Sequence, residues 1–123
     1  METKSINICL ICSSGCSHSV EVIESLMRKV DCNVEMVVAE TLSKIKKIYA
    51  TKKTKPNILI IDDENVDSAN NVILEALDVF KSITKVIGYS EKPPHLYDVF
   101  ISKSKKSSIN TLCKTINSMI SKI

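Results

Sequence analysis

Three side chains in this 123-residue sequence could form a charge-handling centre: Asp62, Ser90 and Lys103. Asp62 closes an unbroken apolar run and is followed by Asp63 and Glu64. A carboxylate in that place can attack a phosphoryl group and form an acyl phosphate. An ammonium such as that of Lys103 neutralises the transferred charge, and a hydroxyl such as that of Ser90 can follow a phosphoryl oxygen and report its presence. Asp62, Asp63 and Glu64 are also the candidate oxygen ligands for Mg²⁺, which prefers hard oxygen donors. A second candidate chemistry lies in Cys12-Ser13-Ser14-Gly15-Cys16-Ser17-His18-Ser19. Backbone amides of a loop that opens a helix cradle an anion and lower the pKa of a nearby thiol. Cys12 would then be the nucleophile, with Ser14, Gly15, Ser17 and Ser19 around the phosphate. The bland alternatives are an acidic solvated loop at 62–64 and a small-residue turn before a helix, with Ser17 or Ser19 as its cap.

The elements that must position these residues follow from apolar spacing. Ile6 to Cys12 is nearly continuous and apolar, the mark of a strand buried on both faces. Val20, Ile23, Leu26, Met27 and Val30 then repeat at helical spacing. Val34 to Val38 reads as a second strand, and Leu42, Ile45, Ile48 and Tyr49 as a second helical stripe. Ile58 to Ile61 is the third strand, after the turn-like Lys55-Pro56-Asn57. Ala69, Ile73, Ala76, Leu77 and Phe80 mark a third helix, and Val86 to Tyr89 a fourth strand. Tyr97 to Ser102 is the fifth strand, and Ile109, Leu112, Cys113, Ile116, Met119 and Ile120 form a closing helix. Strands alternating with helices imply a parallel sheet covered on both faces. Function in such a sheet lies beyond the carboxyl ends of the strands, where the candidates above fall.

Lys55 to Asp62 resembles the third strand of two-component receiver domains, which ends in the phosphoacceptor aspartate. Val86 to Ser90 resembles their fourth strand, and Tyr97 to Lys103 their fifth, which ends in a lysine. The resemblance spans most of the chain. It implies a flavodoxin-like, receiver-type three-layer α/β sandwich with a five-stranded parallel sheet, formed by residues 1–123 as one domain. It assigns Asp62 as phosphoacceptor, Ser90 as switch hydroxyl and Lys103 as the neutralising cation. Two departures stand out. Receivers hold Mg²⁺ with an acidic pair after the first strand, where this sequence has Cys12 and Ser13. The stretch between Ser90 and Lys103 is short and contains Pro93-Pro94, so the usual fourth helix is missing or vestigial. Together these imply a pseudo-receiver acting by protein contact, with a histidine kinase or a regulatory target as partner. It reads as a signalling or phosphoacceptor module more than as a metabolic catalyst.

The first loop resembles the phosphocysteine B components of the sugar phosphotransferase system, whose pattern is Cys-x-x-Gly-x-Ser-x-Ser. That likeness implies a phosphoryl carrier using Cys12, and it covers only the first quarter of the chain. A low-molecular-weight phosphatase is excluded on the residues, because its loop ends in a phosphate-clamping arginine. Arg28, the one arginine here, lies far down the helix.

Composition bounds the rest. Hydrophobic residues make up 44%, enough for a packed core, while aromatics are only 4%, so the core must be Ile, Val and Leu. Net charge is +3 and lysine dominates, whereas base and phosphate readers favour arginine's planar fork. Nucleic acid is therefore not an expected partner. Apolar runs are too short to span a bilayer and residues 1–5 show no signal region, which predicts a cytoplasmic chain without membrane contact. The five cysteines are odd in number and their spacing matches no zinc ribbon, and without a secretion signal no disulfide framework is expected.

Overall fold

A computed structural model describes residues 5–13, 19–30, 32–103 and 108–121. The strands are β1 (Ser5–Cys12), β2 (Asn33–Ala39), β3 (Ile58–Asp62), β4 (Lys85–Ser90) and β5 (Val99–Ser102). The helices are α1 (Ser19–Lys29), α2 (Leu42–Thr51), α3 (Val66–Val79) and α4 (Ser108–Ile120). All five strands are parallel, in the order β2-β1-β3-β4-β5. This is the doubly wound, flavodoxin-like arrangement, with its switch point between β1 and β3.

Strand alternation divides the core in two. Ile6, Ile8 and Leu10 of β1, Ile58 and Ile60 of β3, and Ile87 and Tyr89 of β4 pack with Val22, Leu26, Leu112 and Ile116 of α1 and α4. Cys9, Ile11, Leu59, Ile61 and Val86 face Leu42, Ile45, Tyr49, Ala69 and Ile73 of α2 and α3. Every residue of β3 is buried. That explains its unbroken apolar run: neither face of a covered central strand meets water.

The segment between β4 and β5 contains no helix. Pro94 is buried there against Gly88, where an added Cβ would stand 3.0 Å from the proline Cδ. Pro93, His95, Leu96 and Tyr97 are exposed. Asn70 of α3 accepts the backbone N–H groups of His95 and Leu96 and ties the segment down. The fifth strand begins at Val99 rather than Tyr97. Asp98 instead hands its carboxylate to the Val86 N–H at 2.7 Å, while its own N–H reaches the Val86 carbonyl. On α1, Val22 is buried, whereas Val20 and Met27 are 57% and 59% exposed, so the inward stripe lies beside the one read from spacing.

Candidate functional site

β3 ends at Asp62, and β1 ends beside it, with Cys12 and Asp62 as Cα partners. The Ser13 N–H continues this ladder by donating to the Asp62 carbonyl at 3.1 Å. Lys103 follows β5 and its N–H donates to the Ser90 carbonyl at 3.1 Å, which fixes where its side chain departs. That side chain crosses the end of β4 and places Nζ 2.7 Å from both carboxylate oxygens of Asp62. The Asp62 side chain is 4% exposed and that of Lys103 is 23% exposed. A charge-assisted contact of this length, shielded from water, is among the stronger polar interactions a protein makes.

Tyr89 completes the pair's surroundings, with its ring centroid 5.8 Å from the Lys103 ammonium. Its hydroxyl shares a 3.1 Å hydrogen bond with Ser108 at the start of α4. Burial raises the Tyr89 phenol above its ordinary value, against the smaller opposing pulls of Ser108 and Lys103. Tyr89 is not among the site residues expected from sequence. The available signal was its alternation with Ile87, which puts both on the α1/α4 side of β4.

Ser90 is buried, but its hydroxyl donates to the Lys92 carbonyl at 2.7 Å, within its own loop, and not to Asp62 or Lys103. Asp62 and Lys103 are thus brought together, and the Ser90 side chain stands apart from them. The physical reason is the one-residue alternation of a strand: Tyr89 takes the face shared with the ion pair, and Ser90 leaves by the other.

The acidic neighbours are dispersed. Asp63 accepts the Asn65 N–H at 2.9 Å on one oxygen, and the hydroxyls of Ser68 at 2.7 Å and Ser13 at 3.1 Å on the other. Asn65 in turn caps α3 by accepting the Ser68 N–H. Glu64 accepts the Glu91 N–H at 3.1 Å. Among the described residues, no three His, Cys, Asp or Glu side chains gather into a group that could hold a metal ion.

Cys12 is wholly buried and disulfide-bonded, with its sulfur 3.5 Å from the Ala39 carbonyl oxygen. A sulfur so engaged carries no thiolate to attack phosphorus. Cys12 is therefore not the free thiol that the phosphoryl-carrier reading requires. Ser14, Gly15 and Ser17, and the Ser19 side chain, lie outside the described residues. Cys9 and Cys113 are free thiols, both buried. No described helix is long and apolar enough to cross a membrane.

The architecture is that of response-regulator receivers. The crystal structure of a response regulator from Thermotoga maritima superposes with a TM-score of 0.73, over 96% of this chain and 99% of that one, at 12% sequence identity. Identity that low establishes the fold alone. No family model matches the sequence, and no curated protein does either.

Proposed function

We propose that this chain is a receiver-like signalling module of the pseudo-receiver kind, which acts by contact with other proteins. The Asp62–Lys103 ion pair is its conformational centre. One observation carries the reading: a water-shielded carboxylate at the end of β3 is gripped through both oxygens by a lysine that leaves β5. That linkage ties the central strand to the sheet edge, so any change of charge at Asp62 is felt at β5 and, through Tyr89 and Ser108, at α4. The direction of the Ser90 hydroxyl supports the pseudo-receiver form, because it is committed to its own loop and is not poised to follow a phosphoryl oxygen.

The test has two parts. The full chain is incubated with a small acyl-phosphate donor and Mg²⁺ and weighed intact. No mass gain is expected; a gain that disappears in Asp62→Asn would make Asp62 a working phosphoacceptor and overturn the pseudo-receiver form. Amide spectra of Lys103→Met are then compared with wild type. Shifts reaching β5 and α4 are expected. Shifts confined to residues 61–63 would deny the pair any conformational role.

A further inference from the structure

The resemblance to receivers implies a divalent cation at the end of β1 and β3, and the side chains there do not fit one. Mg²⁺ binds through oxygen ligands, usually including carboxylates, in near-ideal octahedral geometry. Here Asp62 gives both oxygens to the Lys103 ammonium. Both oxygens of Asp63 are spoken for by Asn65, Ser68 and Ser13. Glu64 is turned to the backbone of Glu91. At the end of β1, Cys12 offers a sulfur already in a disulfide, and Ser13 offers a neutral hydroxyl.

We infer that the carboxyl end of β1 and β3 is not built to hold a divalent cation, and that Ser13 is the residue that makes it so. Charge decides the matter. Asp62 and Lys103 together are neutral, so a dication arriving at Asp62 would meet the ammonium 2.7 Å from the oxygens it needs. Holding a dication beside the lysine would require a further negative charge at the site. Ser13 is where that charge could be placed. It is exposed, its backbone is fixed by the Asp62 carbonyl, and its side chain already reaches the Asp63 carboxylate at 3.1 Å. An aspartate at position 13 would set a third carboxylate next to two. Like charges crowded together favour a cation between them. The chain as it stands is therefore cation-indifferent, and a single substitution converts it.

This inference rests on Asp62–Lys103 as the centre of the proposed module, but it is read by cation binding and not by phosphorylation. The full ¹⁵N-labelled chain is titrated with Mn²⁺ as a paramagnetic probe, and thermal stability is followed with Mg²⁺. Wild type is expected to show no saturable, site-selective broadening at residues 12–13 and 62–63, and a Tm insensitive to millimolar Mg²⁺. Ser13→Asp is expected to bind Mn²⁺ at least about tenfold more tightly there, with a Tm that rises with Mg²⁺. Saturable broadening of wild type at those amides overturns the inference. So does a folded Ser13→Asp that gains no cation affinity. If Ser13→Asp does not fold, Ser13→Glu decides: it supplies the same charge and should acquire Mg²⁺-dependent stability, and a flat response overturns the proposal. A phosphoryl adduct without cation binding would sink the pseudo-receiver reading and spare this one; cation binding without an adduct would do the reverse.

Discussion

Lys103 keeps about a quarter of its side chain in water while the Asp62 side chain is 4% exposed, so the two ends of the pair are unequal in what they risk. Removing the lysine leaves a carboxylate shielded and stripped of its cation, whereas removing the carboxylate lets the ammonium swing into solvent. Stripping one partner from a fully buried pair costs several kcal/mol, and the lysine's exposure discounts that figure. Lys103→Met should therefore destabilise by about 1–3 kcal/mol, and Asp62→Asn by less. Methionine keeps apolar contact over Tyr89, so the loss is chiefly electrostatic. Urea unfolding of the two variants checks both the size and the order. Asp63 carries a different load. Its carboxylate organises the turn into α3 and fastens Ser13 to it, so Asp63→Ala should cost about 1–2 kcal/mol, read by the same melts. That structural role was open to sequence reasoning. An aspartate two residues before Asn65, with a serine three beyond, is a helix-start signature, yet beside Asp62 it reads more readily as a metal ligand.

At the scale of elements, legibility followed burial. β1 and β3 are covered on both faces, and their continuous apolar runs declared them to within one residue, Ser5 at the start of β1 and Asp62 at the end of β3 being the additions; the pairing that sets Cys12 beside Asp62 comes from the structure. The third-helix stripe held at Ala69, Ile73, Ala76 and Phe80, while Leu77 proved partly exposed. On α1 the apolar residues outnumber the positions that face the sheet. Val20, Val22, Ile23, Leu26, Met27 and Val30 offer two overlapping stripes, and only packing chooses between them. The start of β5 was hidden for a different reason, since the side chain of Asp98 takes a ladder position that a pattern assigns to backbone. The absent helix between β4 and β5 was legible in Pro93-Pro94, and the structure adds why the short path works. Gly88 lets the Pro94 ring lie on the sheet. Gly88→Ala would push a Cβ to 3.0 Å from Pro94 Cδ, a ring that yields poorly. A loss of about 1–2 kcal/mol is expected, with amide shifts centred on residues 93–98. Asn70→Ala should shift the same amides by releasing His95 and Leu96, with little effect at β1. Equal shifts across the sheet in either variant would show that the segment is not an independent piece.

For the molecule as a whole, the two-sided core sets a pH limit on its stability. Four weak acids are held neutral by their surroundings. Burial pushes the Cys9 thiol from 9.0 up to about 12, the largest influence on it. Burial, followed by the neighbouring Cys9 and Glu35, raises the Tyr49 phenol. Burial also raises Tyr89 and Cys113. In each case the folded chain holds its proton more tightly than the unfolded chain does. Unfolding at alkaline pH therefore releases protons, and stability falls as pH rises. The stabilisation is fully present below the ordinary thiol value of 9.0 and drains away toward about 12, the folded value of Cys9. The decline alone does not single out one of the four acids. Cys9→Val isolates the Cys9 contribution: valine keeps the apolar packing between β1 and the α2/α3 layer and cannot ionise. Urea midpoints compared at about pH 8 and about pH 10.5 should fall further for wild type than for the variant. Parallel declines in the two proteins would mean that Cys9 meets water in the folded chain, and the sealed α2/α3 core would have to be redrawn.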